Sequence, residues 1–275
     1  MKYEVNKLAV AISRVITGGN VISFISGKGG VLKTTNAQNL GASLASEGYK
    51  VAILDLDPQK TAENWGLIRK AYIKKQEEKI RAKVEELKGV EKVNKLVAKQ
   101  LTEAAKKLAM MKNLEVLAID PNSINWKDFE AMKSKYDFII CDTSGHLEFI
   151  GTTKDVIKNS DIVFVPFNNS IDDFNVKLDV KKTIASCGGH KAKIFSLVVD
   201  MNEKQNSKGI SQKMLANVAD TMPIAPVKLF KRASWVDVKY RGLGVVEVSK
   251  DKVATEQFKN LTAFVINELN AMKAA

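Results

Sequence analysis

Residues 27–35 combine glycines, lysines and threonines in an order that suits the binding of phosphate groups. They read Gly-Lys-Gly-Gly-Val-Leu-Lys-Thr-Thr, close to the Walker A pattern G-x-x-x-x-G-K-[ST]. Glycine has no Cβ and tolerates positive φ, so backbone N–H groups in such a loop can close around phosphate oxygens at a helix N-terminus. The candidate nucleotide-binding residues are therefore Gly27, Lys28, Gly29, Gly30, Val31, Leu32, Lys33, Thr34 and Thr35.

Three side chains of this loop carry specific expectations. The Lys33 ammonium would reach the β- and γ-phosphates, and the Thr34 hydroxyl would hold Mg²⁺, as in a Walker A loop. Leu32 departs from the pattern, which has glycine directly before the lysine. The sequence therefore predicts a bound nucleotide with Mg²⁺ and a distortion of the loop at Leu32.

Aspartates lie at the ends of two apolar segments that read as strands. Asp55 ends residues 50–55 and is followed by Asp57, and Asp142 ends residues 136–142. Ligands bind at this carboxyl edge in open α/β sheets. An aspartate after an apolar strand, three residues before Gly145, suits a Walker B carboxylate that holds the water shell of Mg²⁺. Thr34 and Asp142 are thus the predicted metal residues, whereas Asp55 could also be a structural or helix-capping carboxylate.

Strand-like and helix-like segments alternate along most of the chain. This alternation predicts an α/β fold with one doubly wound, mostly parallel sheet and helices on both faces, the P-loop NTPase fold. After the apolar segment that precedes the loop, strands are expected at residues 50–55, 114–119, 136–142, 161–166, 193–199 and 224–229. The main helices are expected at residues 35–46, 126–134, 174–185, 211–220 and 252–272.

Residues 66–113 interrupt the alternation and form a predicted helical insertion. Lysine, glutamate, alanine and leucine dominate, apolar residues recur every three or four positions, and Gly89 is a possible break between two helices. Between Arg69 and Lys112 the net charge is +8, most of the chain's +12. Two interpretations stay open: a solvated helical hairpin, or a basic arm for DNA or a partner protein.

The 275 residues are predicted to form a single P-loop domain, residues 1–275, with an N-terminal extension at residues 1–20. Within the extension, residues 8–16 predict an amphipathic helix rather than a signal peptide. No run of eighteen apolar residues occurs, so a membrane span is not expected. Cys141 and Cys187 form no C-x-x-C motif, which disfavours a zinc or iron–sulfur site and fits a reducing cytoplasm.

The basic composition, with a pI near 9.5, biases the surface toward polyanions such as nucleic acid or acidic lipid. A second cluster of basic residues near the end of the chain is interleaved with aromatic ones. It could follow a DNA backbone or be a scattered solvated surface. The cluster consists of Lys228, Lys231, Arg232, Lys239 and Arg241, with Trp235 and Tyr240 between them.

Together these motifs resemble the ParA/MinD family of deviant Walker A ATPases. Residues 27–35 resemble its K-G-G-x-G-K-[ST] motif, marked by the additional Lys28, and residues 55–59 match D-x-D-P-Q. Residues 241–247, Arg-Gly-Leu-Gly-Val-Val-Glu, are similar to the G-x-G-V-x-E stretch of short plasmid-partition ParA proteins. The resemblance covers most of the chain outside residues 1–20 and 66–113.

The resemblance implies an ATP-dependent homodimer that encloses two ATP molecules. Lys28 would cross to the partner's phosphates, Asp57 would position the attacking water, and Lys33 would neutralise charge on the transferring phosphoryl group. The expected catalytic residues are thus Lys28, Lys33 and Asp57, with ATP and Mg²⁺ as cofactors. The expected activity is slow ATP hydrolysis, with Leu32 leaving turnover open.

For a ParA-like chain the resemblance further implies plasmid or mobile-element partition, nonspecific DNA binding and a ParB-like partner protein that stimulates hydrolysis. The expected location is cytoplasmic and nucleoid-associated. One alternative is a MinD-like ATPase at the membrane surface, although few basic residues lie on the polar face of the last predicted helix. The other is a nucleotide-binding scaffold with weak or no turnover because of Leu32.

Overall fold

The computed structural model describes residues 18–88, 94–145, 150–168, 171–201, 209–230, 232–248 and 250–274. These residues contain one seven-stranded sheet, ordered β3-β2-β4-β1-β5-β6-β7 with every pair of neighbours parallel. The strands are β1 (Asn20–Phe24), β2 (Val51–Leu56), β3 (Leu114–Ala118), β4 (Phe138–Thr143), β5 (Ile162–Phe167), β6 (Lys193–Met201) and β7 (Ile224–Phe230). The predicted N-terminal helix and the predicted break at Gly89 lie outside the described residues.

Helices connect the strands. They are α1 (Lys33–Ser46), α2 (Thr61–Glu86), α3 (Lys95–Met111), α4 (Trp126–Lys135), α5 (Ile150–Lys158), α6 (Ile171–Ser186), α7 (Gly209–Thr221), α8 (Ser234–Lys239), α9 (Val245–Val248) and α10 (Lys252–Ala274). Sequence periodicity did not predict α5, α8 and α9, which are short. No helix of the described segments is long and apolar enough to cross a membrane.

The central strands are apolar at consecutive positions because helices cover both faces of the sheet. Every residue of β1, β2, β4 and β5 is buried. Alternate residues contribute to different cores: Phe24 joins the core that contains α1 and α10, whereas Val21 and Cys141 pack against α4 on the opposite face. The predicted doubly wound sheet is confirmed, and Cys141 is a core residue.

The register of the strands brings the candidate site residues to one edge. Phe24 in β1 pairs with Asp142 in β4, and Asp142 pairs with Asp55 in β2. The loop at residues 25–32 follows β1 at this edge and leads into α1. Parallel pairing therefore aligns the carboxylates with the glycine-rich loop.

The connection from β2 to β3 consists of α2 and α3. Its base belongs to the core: Gly66 packs tightly on Val116, and Leu108 and Met111 are buried. Beyond Ile73 the described residues of α2 are exposed or half-buried. The helices thus cover the β2–β3 side of the sheet and then extend past it as a hairpin-like pair.

A buried ion pair holds the base of this helix pair. The Arg69 guanidinium donates to the Glu247 carboxylate through two nitrogens, at 2.5 and 2.8 Å, and to the Met111 carbonyl at 2.9 Å. Glu247 also accepts from the Gly244 N–H at 2.8 Å. Gly242 has a φ of 67° and lies against the Arg69 backbone. The Gly-x-Gly-Val-x-Glu stretch is therefore a clamp that ties α2 and α3 to α9.

Candidate functional site

The glycine-rich loop is organised around the Lys33 side chain, which is only 7% exposed. Lys33 Nζ donates to Ser26 Oγ at 2.8 Å and to the Lys28 carbonyl at 3.2 Å, and Ser26 Oγ donates to the same carbonyl at 2.6 Å. Burial lowers the pKa of Lys33, while Asp142 and Asp57 oppose that shift. The lysine therefore lies inside the loop and close to both carboxylates.

Leu32 has the backbone conformation for which the Walker pattern uses glycine. Its φ of 59° and ψ of 26° are left-handed, and its carbonyl accepts from Asn36 N–H at 2.9 Å as α1 begins. Gly30 is the other residue of the loop with positive φ, at 77°. The Leu32 side chain is half-buried against the main core. Leucine thus strains the backbone at residue 32 while the loop still leads directly into α1.

This strain is measurable by comparing two substitutions at Leu32. Leu32→Ala removes the side-chain packing but keeps a Cβ in the left-handed region, whereas Leu32→Gly removes both. We expect the free energy of unfolding of the glycine variant to be about 1 kcal/mol higher than that of the alanine variant, because a Cβ at positive φ costs that amount. Urea unfolding without nucleotide measures the difference, and an alanine variant of equal or greater stability would contradict it.

Asp142 is a fully buried carboxylate with no hydrogen bond of normal geometry to either oxygen among the described residues. Burial raises its pKa to about 7, and the nearby Thr34 hydroxyl opposes the shift. Buried polar atoms almost always have partners. An orphaned carboxylate next to a threonine hydroxyl at a phosphate-type loop fits Mg²⁺, which takes few protein ligands and keeps water and phosphate oxygens. Clusters of three or more His, Cys, Asp or Glu side chains that could hold a metal ion are absent from the described segments.

The two aspartates after β2 differ in their surroundings. Asp55 is 1% exposed, and its carboxylate accepts from the N–H groups of Glu63 at 2.8 Å and Asp57 at 3.1 Å. It therefore caps the start of α2, which is the structural role that the sequence left open. Asp57 is half-buried and accepts from the Gln59 N–H at 3.0 Å. Of the two, Asp57 has the carboxylate that is more accessible for interactions at the site.

The segment after β4 supports the loop from behind. Thr143 Oγ1 donates to the Phe24 carbonyl at 2.9 Å. A Cβ added to Gly145 would lie 2.6 Å from the Lys28 carbonyl oxygen and 2.9 Å from the Gly29 nitrogen. The Gly145 backbone therefore touches the glycine-rich loop, and only glycine fits there.

A cavity of about 530 Å³ adjoins the loop between α1, α2 and α8. Its volume suits a small molecule. Trp65 and Trp235 are buried there, and neither indole N–H has an acceptor in the described part of the chain. The lining includes Leu32, Thr35, Asn64, Trp65, Trp235 and Tyr240. The cavity thus offers a ligand aromatic walls directly beside the glycine-rich loop.

Two features at the site were not predicted from the sequence. Ser26 holds Lys33, although nothing in its spacing distinguishes it from an ordinary loop serine. The predicted second basic cluster is also less uniform than its sequence indicated: Arg232 pairs with Asp251 at 2.8 Å, Trp235 is buried, and Lys231 lies outside the described residues. That cluster is thus partly neutralised and partly core.

Comparisons with known proteins agree with this geometry. A model of the AAA domain family matches residues 19–177. The sporulation initiation inhibitor protein Soj of Bacillus subtilis is 31% identical over 149 residues, which cover 54% of this chain and 58% of Soj. The chain thus spans less than two thirds of that relative.

Solved structures share the fold over nearly the whole chain. Apo McdA of Cyanothece superposes with a TM-score of 0.63 at 17% identity, covering 90% of this chain and 99% of McdA. A structure described as a plasmid partition protein of Borrelia burgdorferi, bound to AMPPNP, gives 0.59 at 19% identity, covering 91% and 99%. At these identities the likeness establishes the fold.

Proposed function

Because the chain belongs to the ParA/MinD family of ATPases, we propose that it is an ATP-dependent dimer switch in the partition of DNA such as a plasmid or mobile element. The observation that carries the proposal is the proximity of the buried Lys33 ammonium to the buried Asp142 carboxylate. A buried loop lysine and an orphaned carboxylate meet at one sheet edge, which is the arrangement that a Mg²⁺-bound nucleoside triphosphate needs.

Each residue of the site has a separate role in this proposal. The backbone N–H groups of residues 27–35 surround the phosphates, and Lys33 exchanges its contacts with Ser26 and the Lys28 carbonyl for phosphate oxygens. Thr34 and Asp142 hold the metal site. Mg²⁺ supplies charge neutralisation of the phosphates. Asp57, exposed on one side, orients the attacking water, whereas Asp55 is committed to capping α2.

The nucleoside occupies the cavity beside the loop. Leu32 and Thr35 belong to the lining of this cavity and to the phosphate-binding residues, so a nucleoside bound there would adjoin the phosphates. Apolar walls with a few directed polar groups are typical of such sites. A nucleoside in this cavity would thus lie beside the start of α1, next to the phosphate-binding residues.

Lys28 provides the link to a dimer. Its side chain is half-buried at the open edge of the loop, from which it would reach a partner's phosphates. Contacts made only when ATP bridges two copies give the nucleotide a higher affinity for the dimer, which is the differential binding that a switch requires. A ParB-like protein that stimulates hydrolysis would then return the chain to monomers.

The test is retention of duplex DNA with Mg·ATP, with Mg·ADP and without nucleotide, measured together with the oligomeric state by light scattering. We expect a dimer and tight DNA binding with ATP only. The matched control is Lys33→Met, which keeps the helix but removes the phosphate-binding ammonium. DNA retention that is equal in all three nucleotide states would refute the switch.

Two alternatives predict different outcomes in the same samples. A scaffold without turnover would bind ATP and dimerise without releasing phosphate. A MinD-like protein would sediment with anionic vesicles in the presence of ATP and ignore DNA. The left-handed backbone at Leu32 favours an active loop over the scaffold, because the residue follows the conformation expected of the glycine.

A further inference from the structure

Helix α3 presents a stripe of three lysines to solvent. With about 100° between successive residues of an α-helix, Lys95, Lys99 and Lys106 lie within about 40° of each other around the axis. All three are exposed. The opposite side of α3 carries Leu108, which is buried, and Leu101, which is half-buried. The stripe therefore points directly away from the packed face of the helix.

The charges of this stripe are not compensated within the described part of the chain. None of its lysines forms a salt bridge there, and α3 carries a single glutamate. The neighbouring α2 differs: Lys83 pairs with Glu86 at 2.8 Å, and Lys88, just after the helix, pairs with Glu85 at 2.6 Å. Net positive charge is therefore denser on α3, which carries four lysines and one glutamate, than on α2, which carries seven basic and five acidic residues.

The first turn of α3 provides a second, independent observation. Lys95 is the first helical residue, and the first turn contains no acidic side chain. A cation at a helix N-terminus is disfavoured by the helix dipole, whereas an anion bound there is favoured by both the dipole and the lysine. The Asn94 side chain satisfies the Leu96 N–H, so the cap of this helix end is a neutral side chain.

We propose that α3 binds the phosphate backbone of nucleic acid through Lys95, Lys99 and Lys106. The stripe extends about 16 Å along the helix, which corresponds to about five nucleotide steps of a B-DNA strand. An acidic membrane fits less well, because a membrane-surface helix needs a free apolar face. The apolar face of α3 instead packs inward, with Leu96 the exposed exception. This inference rests on the proposed function, which supplies DNA as the ligand. It adds the surface of the protein that binds the DNA.

The test compares two triple variants that lose equal charge. One replaces Lys95, Lys99 and Lys106 by glutamine, which has a similar helix propensity. The control replaces exposed lysines on the opposite side of the sheet, namely Lys158, Lys181 and Lys191. Fluorescence anisotropy with a duplex of mixed sequence, in the nucleotide state that retains DNA, gives affinity as a function of salt. Circular dichroism and thermal unfolding confirm that both variants fold.

We expect the stripe variant to bind DNA at least tenfold more weakly at 0.1 M salt. The slope of the logarithm of the binding constant against the logarithm of the salt concentration should also fall in magnitude by about 2 to 3, one unit for each lost phosphate contact. The control should keep the wild-type slope. Equal losses in both variants, or an unchanged slope in the stripe variant, overturn the inference and leave the switch intact. Wild-type protein that binds no DNA in any nucleotide state overturns both. Stripe-dependent binding to anionic vesicles instead of DNA would assign α3 to a lipid surface and overturn the inference.

Discussion

Replacing Gly145 by alanine is expected to weaken nucleotide binding by 10- to 100-fold while the protein stays folded. The added Cβ would lie 2.6 Å from the Lys28 carbonyl oxygen, and because that atom belongs to the backbone, the glycine-rich loop has to move. Overpacking of this kind costs about 1 to 3 kcal/mol, which corresponds to the expected loss of affinity. Isothermal titration with Mg·ADP or a non-hydrolysable ATP analogue measures the change.

The matched control for this substitution is Gly151→Ala in α5. Gly151 is exposed, and a Cβ there meets no atom within 4 Å. The Gly151→Ala variant should therefore bind nucleotide as the wild type does. It should also be at least as stable as the wild type, since alanine favours the helix. If Gly145→Ala bound nucleotide with wild-type affinity, the contact between the β4 segment and the loop would not position the phosphate site.

Replacing Glu247 by alanine is expected to destabilise the fold by about 3 to 5 kcal/mol. Arg69 and Glu247 are 2% and 5% exposed, so the substitution leaves a guanidinium buried without its counter-ion, and the cost of that charge is of this size. The Gly244 N–H also loses its acceptor. Chemical denaturation of the nucleotide-free protein measures the effect, provided the variant remains folded enough to give a baseline.

An apolar double substitution separates the charges of the pair from its packing. Replacing both charges at once, as Arg69→Met with Glu247→Leu, should restore most of the lost stability, because apolar residues of similar volume replace a buried pair at little cost. Lys83→Ala, which breaks the exposed pair with Glu86, should cost less than 1 kcal/mol. A double variant as unstable as Glu247→Ala alone would mean that the clamp stabilises through packing and not through its charges.

The sequence predicted the fold well where its patterns are local. Continuous apolar runs ending in aspartate gave β2 and β4 to within two residues at each end, and parallel pairing then placed Asp55 and Asp142 at one edge. The glycine-rich loop could likewise be recognised from composition alone. These features depend on residues that are neighbours in the chain, so a single sequence contains the pattern that predicts them.

Features that depend on distant contacts could not be predicted. The partner of Arg69 lies 178 positions away, so counting residue 69 among the solvated basic residues of the 66–113 segment was wrong: it is a buried structural charge. Asp57 was favoured over Asp55 only through the family resemblance, because the hydrogen bonds that Asp55 accepts at the start of α2 could not be predicted from the sequence. At Leu32, where the sequence predicted a distortion, the residue adopts the left-handed conformation, so the strain lies in its own backbone.

The length of α2 has a mechanical consequence. It is an unbroken helix of 26 residues, capped by Asp55 beside the phosphate site and held at Arg69, and its residues beyond Ile73 are exposed or half-buried. From Arg69 to Glu86 the helix measures about 25 Å, so a rotation of about 5° around Arg69 would displace the far end by about 2 Å. A shift of the Asp57 loop that tilted α2 around Arg69 would therefore displace the far end of the helix more than its start.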